Sequence, residues 1–270
     1  LDSIRKTKEM HSDKMTALRR EQTDALRFYE GDIDKTEAED RFYGDAKAYV
    51  TWNSLLFEGI ETEEARTEEN RILNEAFLED PDRVIHLSNL ILSSMTSHSD
   101  VDVFRVERLA DYQMFMKTGI LQSFISTSKN GFLGSYEDKN DLVLMKMHIP
   151  SGVPYADMAE LLQSYAKAEE AEILLPPYLT IHAEKLEMTE DIMCIRDRYG
   201  KPPAVYCQAE VENNIPAAEY VKMDAEIIDV SKRVYHLLNA HENPNTADVQ
   251  KYLQYKEYIR YGVMKGMRNG

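Results

Sequence analysis

The hydrophobic period changes twice along the chain, and these two switches constrain the fold more than any other feature. Up to about residue 100, apolar side chains recur every three to four positions, as along one face of a helix. From Val101 they fall on alternate positions (Val101, Val103) or in short runs such as Leu142 to Ile149, as in strands. Beyond about residue 216 the helical spacing returns. A chain patterned in this way predicts an α+β fold. Its expected parts are a helical region over 1–100, a strand-bearing core over 101–215 and C-terminal helices over 216–270. The core is expected to be a mixed, mostly antiparallel β-sandwich.

Residues 1–30 contain neither Pro nor Gly and are rich in Lys, Glu, Arg, Met, Leu and Ala, which favours a helix. Further helices are expected from Thr36 to Phe57, from Thr62, and from Asp80-Pro81, where proline suits a first helical turn. Trp52, the only tryptophan, reads as a core anchor. Within the core, strands are expected at Val101 to Val106, Leu121 to Thr127, Leu142 to Ile149, around Glu172, at Leu179 to Leu186 and at Ala204 to Val211. Asp111 to Lys117 suits a short helix. Ala217 to Leu238 and Thr246 to Met267 suit longer ones.

Charge narrows the partners. The formal net charge of -16 opposes binding to a nucleic-acid backbone or an anionic membrane surface. A basic or arginine-bearing protein face would complement it. No run of apolar residues is long enough to span a bilayer, and no signal peptide is expected in this chain. The seven histidines form no close-spaced metal motif, and neither a dinucleotide-binding fingerprint nor a nucleophile elbow is present. The two cysteines, Cys194 and Cys207, flank a turn-like Tyr199-Gly200-Lys201-Pro202-Pro203 that would set them opposite each other in a hairpin. A disulfide in an oxidising compartment and two buried free thiols are both open.

Three stretches carry chemistry. Glu170-Ala171-Glu172 runs into a short apolar strand. If extended, it sets two carboxylates on one face, where like charges repel. A solvated edge would explain the pair without any function. Upstream lie Val103-Phe104-Arg105-Val106 and Ser126-Thr127-Ser128, each next to a strand-like run. Ser126 falls 21 residues after Arg105 and 46 before Glu172. In this order, over roughly Val101 to Glu187, the three stretches resemble the catalytic core of mono-ADP-ribosyltransferases of the Arg-Ser-Glu class.

The resemblance implies an ADP-ribosyltransferase-like core that consumes NAD as a substrate, needs no metal, and modifies an accessible arginine of a target protein. It implies that Glu172 is the main catalytic residue at the nicotinamide ribose and that Glu170 faces the acceptor. Arg105 would bind the NAD phosphates. Ser126 would orient Glu172 and the ribose, and Thr127 and Ser128 would shape the strand end. Phe132 would cover nicotinamide, and Tyr165 would be presented to the target. The family often has Gly directly after its arginine; here Val106 follows. Such enzymes are often secreted or delivered bacterial toxins and effectors. Two alternatives remain: an NAD glycohydrolase using the same Glu172, and a non-catalytic core of the same fold that binds a protein partner.

Overall fold

The computed structural model describes residues 2–30, 53, 81–121, 123–131, 142–167, 169–185, 190, 193–194, 205–212, 233, 243 and 245–251. The chain forms two compact units, one from Leu1–Ser94 with Ala218–Gly270 and the other from Met95–Ala217.

In the first unit, α1 spans Asp2–Glu30 and α2 spans Pro81–Ser94. The lack of helix breakers lets α1 run for 29 residues. Its burial concentrates in the last turns, at Ala25, Leu26 and Tyr29, while Met15 and Leu18 are exposed. Ile91 of α2 is fully buried. Gln22 Nε2 donates to Ser93 Oγ at 2.9 Å, and the Arg83 guanidinium lies 5.9 Å from the centroid of the Phe28 ring. Asn53 Nδ2 donates to the Tyr29 hydroxyl at 2.8 Å. Trp52 and most of the helices expected between residues 31 and 80 and after 216 lie outside the described residues. No helix among the described residues is long and apolar enough to cross a membrane.

The second unit is built on a sheet. Its elements in chain order are β1 (Thr96–Ser97), β2 (Val101–Arg108), α3 (Leu109–Thr118), β3 (Ile120–Leu121), β4 (Ile125–Ser128), β5 (Leu142–Ile149) and β6 (Pro154–Asp157). There follow α4 (Met158–Leu162), a 3-10 turn (Gln163–Tyr165), β7 (Glu172–Leu175), β8 (Leu179–Lys185) and β9 (Val205–Glu212). The described strands join in the order β1-β6-β7-β4-β2-β5-β9-β8-β3. Among the described pairings β5–β9 is parallel and the others are antiparallel, so the α+β class and the mostly antiparallel character are as the sequence implies.

The longest ladder pairs β2 with β5 over eight residues, from Val101↔Ile149 to Arg108↔Leu142. Val103, Met145, Met147 and Ile149 are buried on one face of it, which also carries Arg105 and Glu107. The other carries Asp102, Lys146 and His148. Asp102 Oδ1 lies 2.8 Å from His148 Nδ1, and Asp102 Oδ2 lies 3.3 Å from Lys146 Nζ. Burial pushes the Asp102 carboxyl up, but the hydrogen bonds and charges of His148 and Lys146 outweigh it and hold it below its ordinary value.

Two expectations need correction. The run from Leu121 to Thr127 is not one strand. Leu121 ends β3, which pairs with β8, whereas Ile125 begins β4 between β2 and β7. A bend at Ser123 separates them, and both pieces are buried, so the apolar run conceals the break. Nor does Cys194 stand opposite Cys207. Cys207 in β9 stands opposite Lys185 of β8, and Cys194 is a free, exposed thiol.

Gly119 ends α3 in the left-handed region at φ 66°. Its N–H donates to Phe115 O at 2.7 Å, and its carbonyl accepts from Ile181 N at 2.9 Å, which ties the helix end to β8. An added Cβ would meet nothing nearer than Ile181 O at 4.0 Å. Gly119→Ala is therefore expected to destabilise the fold by conformation alone, by about 1 kcal/mol. Urea denaturation with an unchanged m-value would show it.

Candidate active site

The Ser-Thr-Ser and Glu-x-Glu stretches meet on neighbouring strands. Ser126, Thr127 and Ser128 make up most of β4, and Glu172 opens β7. The register is Ser126↔Leu174, Thr127↔Ile173 and Ser128↔Glu172. Ser128 also stands opposite Phe104 of β2. Residues directly opposite share a face, so Phe104, Ser128 and Glu172 form one row across three strands. Alternation along β4 puts Ser126 on that same face, diagonal to Glu172, and turns Thr127 to the other. Thr127 is structural there: its buried hydroxyl donates to Ile173 O at 2.8 Å. Glu172 is only 8% exposed although it carries a carboxylate, because all four residues of β7 are buried between β6 and β4.

The side-by-side arrangement expected for the two glutamates does not arise from strand alternation. β7 begins at Glu172, and Glu170 lies in the turn before it. Between them Ala171 takes φ 43°, the left-handed region, at a cost of about 1–2 kcal/mol for a residue with a Cβ. Glu172 is thus placed by the sheet and Glu170 by a loop. Glu170 is half-buried, its N–H donates to Lys167 O at 3.0 Å, and its Oε1 lies 3.6 Å from Lys167 Nζ.

That loop is held by the end of β4. The Ser128 hydroxyl lies 2.7 Å from Glu170 O and 2.8 Å from Asn130 Oδ1, one proton serving either acceptor. Lys129 N donates to Ala171 O at 3.0 Å, and Asn130 Nδ2 donates to Glu169 O at 2.9 Å. Lys129 Nζ also reaches Asp157 Oδ2 of β6 at 2.7 Å, while Asp157 Oδ1 caps α4 by accepting from Glu160 N at 3.4 Å. On β6, burial pushes the Tyr155 phenol up; Lys129 opposes this, and Asp157 and Glu160 add to it. The orienting role implied for Ser126 therefore has company: Ser128 is nearer to Glu172 in register, and its hydroxyl is committed to the loop.

Arg105 leaves the row. It follows Phe104 on β2, so alternation turns it to the opposite face. Its Nη1 donates to the backbone carbonyl of Ser126 at 2.6 Å, and its Nε donates to Glu107. Glu107, two residues on and on the same face, is 7% exposed. Sequence reading missed this carboxylate. The signal was an Arg-x-Glu spacing inside a strand, which sets both side chains on one face. Arg108 ends β2 at the start of α3.

Phe132 lies outside the described residues. Tyr165 ends the 3-10 turn before the loop, but its side chain lies outside the described part. Among the described residues no group of three or more His, Cys, Asp or Glu could hold a metal ion.

No family model and no curated protein matches the sequence. Solved structures similar to the chain include the catalytic domain of VahC from Aeromonas hydrophila, at 14% identity over 71% of this chain and 97% of that one, with a TM-score of 0.43. An ADP-ribosyltransferase from Clostridium botulinum is 14% identical over 72% of this chain and 87% of that one, with a TM-score of 0.36. The Vis toxin from Vibrio splendidus, an ADP-ribosyltransferase, is 17% identical over 74% and 84%, with a TM-score of 0.34.

Proposed function

We propose that the chain is an NAD-consuming mono-ADP-ribosyltransferase that modifies an arginine of a target protein, and that the Met95–Ala217 unit carries the chemistry. One observation carries this reading. Stretches distant in sequence meet on three adjacent strands, with Ser128 in register with a buried Glu172 and Arg105 tied to the carbonyl of Ser126. A carboxylate withheld from water at that position has a use in glycosidic cleavage, where positive charge develops on a ribose.

In the proposed reaction the bond between ribose and nicotinamide breaks first, and its electron pair leaves with nicotinamide. The Glu172 carboxylate stabilises the resulting oxocarbenium character more than it stabilises the ground state. Ser126, on the same face, orients the carboxylate and the ribose. An arginine of the target then attacks the ribose carbon and loses a proton. Glu170 would hold that guanidinium by paired hydrogen bonds, which suit its planar fork. Arg105 would meet the pyrophosphate. The phosphates lie one ribose away from the breaking bond, so Arg105 does not have to share the row of Glu172. The fold's acidity favours a target that offers a basic face, as would befit a delivered bacterial effector.

The test is nicotinamide release from NAD by the purified chain, with and without agmatine as a small guanidinium acceptor. Release accelerated by agmatine, together with ADP-ribosyl-agmatine, supports the reading. Release without transfer would make the chain a glycohydrolase, and no release under either condition would leave a partner-binding core. Glu170→Gln is expected to lower transfer to agmatine by about ten-fold more than it lowers release. An equal loss of both would remove the division of labour between the two glutamates.

A further inference from the structure

We infer that Asn130 is a positioning residue which, with Ser128 and Lys129, fixes the loop before β7 and thereby decides whether arginine or water takes the ribose. The inference rests on the proposed transferase reading. Its basis is the set of hydrogen bonds crossing from one segment to the other. Three consecutive residues, Ser128, Lys129 and Asn130, reach three consecutive carbonyls, those of Glu170, Ala171 and Glu169. Asn130 is exposed, so burial does not demand that its amide find partners. It nevertheless uses both ends of the amide, Nδ2 on Glu169 O at 2.9 Å and Oδ1 beside the Ser128 hydroxyl at 2.8 Å.

The loop needs such a hold because Ala171 sits in the left-handed region at φ 43°, and strain of this kind persists only where the surroundings over-determine it. The two glutamates then respond differently to its loss. Glu172 is pinned by its ladder to Ser128 and is buried. Glu170 has no strand to hold it; its N–H donates to Lys167 O, and its carboxylate pairs with Lys167 Nζ at 3.6 Å within the same loop. Loosening Asn130 thus displaces the group that faces the acceptor and spares the group that stabilises the ribose.

Asn130→Ala and Asn130→Asp in the full chain test this. Aspartate has the same shape and keeps an oxygen for the Ser128 hydroxyl, but it cannot donate to Glu169 O. In both variants the Glu170 amide, which donates to Lys167 O in the wild type, should exchange with solvent about ten-fold faster while the β4 and β7 amides keep their rates. Transfer to agmatine should fall about ten-fold or more through a raised KM for agmatine. Hydrolysis of NAD without agmatine should stay within about two-fold of wild type. An Asn130→Asp variant that matches wild type in exchange and transfer would overturn the inference, as would equal falls in hydrolysis and transfer. If the wild-type chain releases no nicotinamide, the transferase reading and the acceptor role fall together. Exchange at Glu170 then decides the anchor by itself.

Discussion

Glu172→Gln is expected to lower nicotinamide release from NAD by about two to three orders of magnitude while the protein stays folded. The size follows from the role proposed for the carboxylate. A preorganised charge in a site shielded from water stabilises developing positive charge by several kcal/mol, and removing such a group typically costs about 10²–10³ in rate. Glu172 meets that condition, since it is buried and set by a ladder running from Ile125↔Leu175 to Ser128↔Glu172. The fold should tolerate the change because glutamine has the same shape, keeps hydrogen-bonding atoms and removes a buried charge. Stability is expected to move by no more than about 1 kcal/mol. Nicotinamide measured by chromatography, beside a urea melt of the same preparation, separates the two effects. Release that persists at wild-type rates in a folded Glu172→Gln protein would remove Glu172 from the chemistry.

The parts of this molecule that follow simple periodicity were legible. Leu142 to Ile149 reads as a strand from its apolar run and its turn signals, and it forms β5 as expected. The helix over the first thirty residues follows from composition, and the β9 strand from its β-branched and aromatic pattern. Features that depend on a single backbone angle were not legible. Nothing about Ala171 announces a φ of 43°, so the i, i+2 rule was applied across a residue that breaks it. Non-local contacts were equally hidden. Asn130 looks like an ordinary loop residue until β4 and β7 are paired, because the carbonyl it serves, that of Glu169, lies 39 residues away. β6 was missed because it opens with Pro154, a residue that argues against strand in a one-dimensional pattern but is tolerated at a strand's first position.

Glu107 gives the second large effect, because its role is set by a neighbour rather than by a motif. Glu107→Ala is expected to destabilise the fold by about 3 kcal/mol, the lower end of the range for removing one partner of a buried ion pair. The lower end applies because the Arg105 side chain keeps 27% of its exposure, against 8% for Glu107, so water can still reach the guanidinium. The same variant should raise the KM for NAD with kcat little changed, since Arg105 loses the carboxylate that orients its Nε while Glu172 stays in its ladder. The double change Arg105→Met with Glu107→Leu separates packing from function. Replacing both charges with apolar side chains of similar volume is often neutral, so stability should return to within about 1 kcal/mol of wild type. The KM for NAD should remain high, because no guanidinium is left for the pyrophosphate. If the pair is only an ion pair of the sheet, the double variant will bind NAD as the wild type does, and Arg105 then has no part in holding the dinucleotide.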